Sequence, residues 1–270
     1  MAKRLSSGEI AARIAASGKY SRILRKTIER VAAECAARYD GKEAEKKARN
    51  ILHQSWGAYW KSKPDFGRLR DKIMRDLETG GNIRESLLPA LSLQSSTRER
   101  IPLLDSFYGE IFSVTGTPRT VADLACGLNP LTIPWMGLPD GAEYTGFDID
   151  EEQNGFLNAV LKLPAFGEVR ARVHAGDAFT DAPGRADVAF MLKVLPLLER
   201  QKKGAGLEVM RMQDCAHLVV SFPAAGLSGR KRGMGGFHAE RIMYTVSKEG
   251  WKAEKLEFST ETVFIISRGN

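Results

Sequence analysis

Val121–Leu131 reads VADLACGLNPL: a short apolar run carrying one acid, Asp123, that turns abruptly at Ala125-Cys126-Gly127. Apolar residues in a run this short, closed by small residues, predict a buried strand and a tight turn. Four more apolar runs follow, EYTGFDI (143–149), VRARVHAG (169–176), ADVAFML (186–192) and HLVVSFP (217–223), separated by helical or loop segments. With TVADLAC (120–126) they set the rhythm of βαβ units and a parallel sheet. The C-terminal WKAEKLEFSTETVFIISR holds two alternating runs around Ser259-Thr260, which predict an antiparallel hairpin at a sheet edge.

In such a sheet ligands bind beyond the carboxyl ends of the strands. Small residues at the first turn let a ligand lie against backbone. The turn has one glycine, so it is neither GxGxxG nor a phosphate-binding loop. The second strand ends in Asp148, where an acid commonly accepts hydrogen bonds from a ribose diol. The third runs into His174-Ala175-Gly176-Asp177. A small-residue turn and acids at the next two strand ends, without diphosphate glycines, is the layout of an S-adenosylmethionine site. Each acid alone has a plainer reading, as a turn former or, for Asp123, as a partner of loop amides.

Upstream the texture is helical. In residues 8–39 apolar positions recur at three- and four-residue steps (Ile10, Ile14, Ile28, Val31, Cys35), and Gly18 divides the stretch into two helices. A third helix is predicted over 42–60, and Ser95-Ser96-Thr97 as the N-cap of a helix over 98–114. Charge divides the chain in the same way. Residues 1–75 hold 19 Lys and Arg against 8 Asp and Glu, whereas 76–270 hold 21 against 25, so the whole net charge of +7 comes from the first quarter. That asymmetry predicts a polyanion partner for the N-terminal part. Two domains are expected: a basic helical docking domain over 1–90 and a Rossmann-like α/β methyltransferase domain over 91–270.

Several classes are set aside. No apolar run reaches the roughly 20 residues of a membrane span, and the N-terminus lacks the apolar core of a secretory signal. Cys35, Cys126 and Cys215 stand in no metal-ligand or disulfide spacing, so free thiols and no metal are expected. A cytoplasmic monomer is expected.

Four blocks, SSTRERIPLLDSFY, GTPRTVADLACGLNPL, LKVLPLLERQ and VVSFPAAGLSGRKRGM, resemble those of the Arm/Rmt-type aminoglycoside-resistance 16S rRNA methyltransferases, in the family's order. LHQSWGAY (52–59) is similar to a segment of that family's helical N-terminal domain. The resemblance implies transfer of a methyl group from S-adenosylmethionine to N7 of a guanine in the decoding-site helix of 16S rRNA, within the small ribosomal subunit. It implies that Trp56 packs near the cofactor, that Gln94, Ser95 and Ser96 line it, and that Arg100 pairs with its carboxylate. Ala125 and Gly127 would meet its backbone-facing side, Asp148 its ribose, and Asp177, Ala178, Leu192 and Gln201 its adenine. The chain departs from the family at Gln94-Ser95, at Gly176 and at GLSGR (226–230).

Guanine N7 carries an available lone pair, so no catalytic base or nucleophile is expected, only positioning. For the rRNA, Lys19, Arg22, Arg25 and Lys26 are candidate phosphate contacts in the basic module. Arg230, Lys231 and Arg232 are candidates beside the target, and Phe222 is a candidate stacking platform for an extruded base. His174 and His217 read as structural, His238 as a surface residue, and Lys193 either as a site residue or as a strand cap. The rival readings are a nucleic-acid methyltransferase with another target atom and a non-catalytic RNA-binding protein that keeps the shell.

Overall fold

The computed structural model describes residues 5–60, 64–224 and 234–268. Among the described residues seven α-helices precede the first strand: α1 (Ser7–Ala15), α2 (Arg25–Ala36), α3 (Gly41–Ser55), α4 (Phe66–Glu78), α5 (Ile83–Leu91), α6 (Ser95–Arg100) and α7 (Leu104–Thr115). Then come β1 (Thr120–Leu124), α8 (Ile133–Met136), β2 (Glu143–Asp148), α9 (Glu151–Val160), β3 (Arg170–Ala175), β4 (Ala186–Leu192), α10 (Leu195–Gln201), α11 (Ala205–Met212) and β5 (Cys215–Pro223). The chain closes with α12 (Met234–Lys248), β6 (Lys252–Glu257) and β7 (Glu261–Ser267).

The strands form one sheet in the order β3-β2-β1-β4-β5-β7-β6. β1 to β5 are parallel, and β7 runs antiparallel between β5 and the outermost β6. The strand order reverses between β1 and β4, the switch point where an open α/β sheet leaves a crevice. The five predicted parallel strands and the hairpin are all present. β1 ends at Leu124, two residues before the predicted end, because Ala125 turns left-handed at φ 50°.

The predicted helix over 98–114 is divided. Pro102 lacks an N–H, and a 3-10 turn over Ile101–Leu103 separates α6 from α7. The N-cap position of α6 is Gln94, not a serine, and Thr97 instead donates its hydroxyl to the Leu91 carbonyl at 2.6 Å.

Apolar packing divides the chain earlier than residue 90. Ile10, Ile14, Ile28, Val31 and Leu52 make a small core among α1, α2 and α3. Phe66, Ile73, Leu87 and Leu91, from α4 and α5, bury instead with Tyr108, Val121, Tyr144 and Phe190 on one face of the sheet. A third cluster, with Met191, Leu198, Val209 and Phe264, covers the other face. α1 to α3 therefore form an apolar cluster of their own, with Ile149 from the end of β2 packed against it, and α4 and α5 belong to the core of the α/β layers. α1 starts at a capping box: Glu9 N–H donates to Ser6 Oγ at 3.2 Å and Ser6 N–H to Glu9 Oε2 at 2.8 Å.

Candidate active site: a cofactor cleft at the strand ends

A cleft of about 900 Å³, counted with its mouth, opens over the carboxyl ends of β1, β2, β3 and β4. Its floor is the turn after β1. Gly127 has φ 53°, and a Cβ there would stand 2.3 Å from Gln94 Oε1, so only glycine fits both the backbone and the neighbour. Gln94 Oε1 accepts the Leu128 N–H at 2.9 Å, which ties α6 to this turn. Among the described residues the non-glycine positions with positive φ are Ala125 and Lys193 (59°), at the tips of the neighbouring β1 and β4. Left-handed backbone costs about 1–2 kcal/mol at such residues, so both turns are held by their surroundings.

The two acids stand where the pattern puts them. Asp148 Oδ2 accepts the Gly127 N–H at 2.8 Å and its Oδ1 the Asp150 N–H at 3.0 Å. Burial pushes its carboxyl up to about 6, partly offset by those two amides. Asp177, 3% exposed, accepts the Phe179 N–H at 3.0 Å and Arg30 Nε at 2.9 Å. Gly176 is squeezed: a Cβ would lie 2.8 Å from Phe147, so Phe147 occupies the room a larger side chain would need here.

The opposite wall comes from the N-terminal helices and the turn after α3, through Thr27, Arg30, Leu52, Ser55, Trp56, Tyr59 and Trp60. It is tied to the sheet by polar contacts. Arg30 holds Asp177 and reaches Gln201 Oε1 at 3.3 Å, with its guanidinium 4.0 Å from the centre of the Phe179 ring. Gln201 Nε2 donates to Ser55 Oγ at 2.9 Å, and Lys26 Nζ to Asp181 at 2.7 Å.

Of the twelve expected cofactor residues, Trp56, Gln94, Ser96, Ala125, Gly127, Asp148, Asp177, Ala178, Leu192 and Gln201 line this cleft. Ser95 and Arg100 do not. Arg100 is 1% exposed, with Nε and Nη2 on Glu261 at 2.8 and 3.0 Å and Nη1 on Asn129 at 2.8 Å. It sits behind the wall, locking β7 to the turn after β1, and differs in this from a cation open to a carboxylate. Two cations line the cleft instead, Arg30 on the helical wall and Lys193 at the tip of β4. Lys193 is the one beside Glu261. It is 6% exposed, bonded to Glu99 at 2.8 Å and 3.7 Å from Glu261. Burial alone would raise Glu261, yet Arg100 and Lys193 hold it below its ordinary value. The left-handed backbone of Lys193 is invisible in a one-dimensional pattern, so sequence reasoning left its role open. Arg30 was missed because its helix reads as an ordinary charged face.

The expected rRNA contacts divide. Lys19, Arg25 and Lys26 are exposed, but Arg22 is buried in an ion pair with Asp150, which corrects its expected role as a surface phosphate contact. Phe222 is 2% exposed and packs edge-on against Phe264 at 6.0 Å, so it fills the core and offers no platform for a base. Arg230, Lys231 and Arg232 lie outside the described residues, as does the GLSGR stretch. Asp123 is buried beneath the turn, accepting Asn129 Nδ2 at 2.9 Å and the Tyr144 hydroxyl. Burial pushes the Cys126 thiol well up, which suits a packing residue and not a nucleophile. His174 stacks on Phe147, and His217 meets Ser267 Oγ at 3.1 Å.

The chain is similar to known proteins along nearly its whole length. It is 38% identical to a 16S rRNA (guanine(1405)-N(7))-methyltransferase of Frankia casuarinae, over 94% of this chain and 91% of that protein. It is 35% identical to the enzyme of the same name from Micromonospora echinospora, over 94% of each. Among solved structures, the 16S rRNA methyltransferase RmtF in complex with S-adenosyl-L-homocysteine superposes with a TM-score of 0.83 at 31% identity, covering all of both chains. The 16S rRNA methylase RmtB superposes with a TM-score of 0.78 at 26% identity, covering 99% of this chain and all of the other. The family described as Ribosomal RNA methyltransferase (FmrO) matches residues 16–266, and with the strand-end cleft in place the chain belongs to that family.

Proposed function

We propose that this protein is an S-adenosylmethionine-dependent methyltransferase that modifies N7 of the decoding-site guanine in 16S rRNA and so confers aminoglycoside resistance. The observation that carries the reading is the cleft itself: Gly127, Asp148 and Asp177 face one space at adjacent strand ends, and no phosphate-binding glycine loop is present. Those residues fit the cofactor. The bare Gly127 backbone leaves room for close approach, Asp148 keeps acceptor capacity for a ribose diol beyond its two amides, and Asp177 with Ala178 stands beside it for the base. The wall of Trp56, Leu192 and Leu198 suits a flat ring.

When bound, S-adenosylmethionine supplies an electrophilic methyl group. The chain's own work is to bind, orient and exclude water. The guanine brings its own lone pair, so no proton must leave before the methyl moves, and alignment of the acceptor supplies the rate. Lys193 stands at the β4 tip beside the switch point and lines the cleft.

The helical module α1 to α3, with its exposed Lys19, Arg25 and Lys26, docks on the small subunit through phosphates, and the α/β layers carry out the transfer. The enzyme works as a monomer on ribosomal particles in the cytoplasm. Among the described residues no helix is long and apolar enough to cross a membrane, and no three metal-ligating side chains converge. Primer extension over 16S rRNA from small subunits incubated with protein and S-adenosylmethionine tests the reading, after borohydride and aniline cleavage at N7-methylguanine. One cofactor-dependent stop in the decoding-site helix is expected. A stop elsewhere, or none, overturns the target.

A further inference from the structure

The segment between α1 and α2 does more than connect them. Residues 22–24 lie antiparallel against 149–151, with Leu24 N–H donating to the Ile149 carbonyl at 2.8 Å and Glu151 N–H to the Arg22 carbonyl at 2.9 Å. Asp150 at the centre is fully buried. Its carboxylate pairs with the Arg22 guanidinium, accepts Trp56 Nε1 at 2.8 Å, and caps α9 through the Gln153 N–H at 3.0 Å. Arg22 is itself enclosed by aromatic rings, 5.3 Å from Trp56 and 4.9 Å from Phe66. The backbone N–H of the same Asp150 donates to Asp148 Oδ1, and the Gly127 N–H holds the other oxygen. One residue thus joins the N-terminal helices to the acid at the end of β2.

We propose that Arg22, Trp56 and Asp150 form a positioning unit that fixes Asp148 for the cofactor, so that the helical module is a structural part of the cofactor site as well as a docking surface. This rests on the reading that Asp148 binds the ribose. The physical reason is direct. A buried carboxylate is tolerated only when paired and hydrogen-bonded, and Arg22 and Trp56 satisfy Asp150 from the other module. Without them the 148–151 turn loses the contacts that hold its place, and the Asp150 amide no longer stays on Asp148. Arg22 does not line the cleft, so any effect of its loss on the cofactor passes through the neighbours it touches, Asp150 and Trp56. Trp56 lines the cleft and has a face toward the ligand as well, which calls for a double-variant test.

The experiment measures S-adenosylmethionine binding by calorimetry, and cofactor KM and kcat on purified small subunits, for Arg22→Gln, Trp56→Phe, Asp150→Asn, Asp148→Ala and the double variant Trp56→Phe/Asp150→Asn. Arg22→Gln is expected to weaken cofactor binding about tenfold, within the range for members of one hydrogen-bond network. The loss should sit in KM and not in kcat. The double variant should bind no more weakly than the worse of its two single variants. Wild-type affinity in Arg22→Gln, or additive losses in the double variant, would overturn the proposal. If Arg22→Gln does not fold, the Trp56 and Asp150 cycle decides, because Trp56→Phe keeps an aromatic ring and removes only the N–H. Asp148→Ala separates the two levels. If it binds normally, the ribose reading fails; if it binds weakly while Arg22→Gln binds normally, the positioning unit alone fails.

Discussion

Two helical regions stand before the sheet and are built differently. α4 and α5 give their apolar faces, Phe66, Ile73, Leu87 and Leu91, to the core of the α/β layers. α1 to α3 gather theirs around Ile10, Ile14, Ile28 and Leu52, with Ile149 from the end of β2 packed against them, and their side chains reach the α/β layers through the polar pairs Arg22–Asp150, Arg30–Asp177, Lys26–Asp181 and Ser55–Gln201. Apolar merging makes one cooperative body, because burial is non-directional and shared. Polar ties are directional and few. They fix where one body sits on another, and here all four end at or beside the cleft.

The largest expected effect tests that distinction in the core. Leu87 is fully buried, and Leu87→Ala removes side-chain volume from the sheet's core, at a cost of about 2–5 kcal/mol. Urea unfolding should show that loss, and amide protection should fall in strands and α4–α5 alike. Ile14→Ala makes a comparable hole in the three-helix core, yet its loss of protection should be concentrated in residues 5–52. If Ile14→Ala lowers protection across β1 and β4 as much as Leu87→Ala does, the polar ties are no softer than apolar merging and the comparison breaks.

How much was legible in one dimension follows from the same contrast. The parallel strands were readable because a buried β-run is nearly continuous in its apolar residues, and Asp148 and Asp177 because they sit at run ends. Helical periodicity predicted the helices of α1 to α3 but not which core each face joins, since an apolar stripe on one helix looks like that on another. For that reason the sequence did not show that the apolar packing changes from one core to the other between Trp56, which packs on the three-helix cluster, and Trp60, which packs with Phe66. Arg22 was misread for a related reason: a basic stretch gives no sign of which of its cations turns inward. Phe222 was misread because a strand-end aromatic stacks or packs according to its partner, and Phe264 lies 42 positions away.

A smaller effect sharpens the reading of the cleft. The Asp148 carboxyl is raised to about 6 by burial. For an acid raised in this way, protonation begins near neutrality as pH falls, and the protonated group gives up an acceptor site. Cofactor affinity is therefore expected to hold above about pH 7 and to fall below about pH 6, approaching tenfold per pH unit. Asp148→Asn, already neutral, should bind weakly at every pH with no such slope. Calorimetry from pH 5 to 8 checks it. A wild-type profile flat through pH 6 would mean that Asp148 does not meet the ligand as a carboxylate.

The smallest effects concern the outer face of the three-helix module, where single cations act on a polyanion through solvent. Lys19 lies 5.4 Å from the centre of the Tyr20 ring, and Arg25 pairs with Glu29, a partner as exposed as itself. Both remain free to exchange those contacts for phosphates, because exposed pairs are worth only about 0–1 kcal/mol. Lys26 is held by Asp181, and Arg22 is inside. Binding to small subunits across a salt series should therefore lose slope, by up to about one unit per residue, for Lys19→Gln and Arg25→Gln. It should lose less for Lys26→Gln and none for Arg22→Gln, whose effect belongs to the cofactor. The ordering matters more than its size, because four neighbouring cations of equal formal charge are sorted only by what each one touches. If Arg22→Gln flattens the salt dependence as much as Lys19→Gln does, the buried pair with Asp150 opens when the subunit docks. The two regions would then be joined by a tie that the substrate itself undoes.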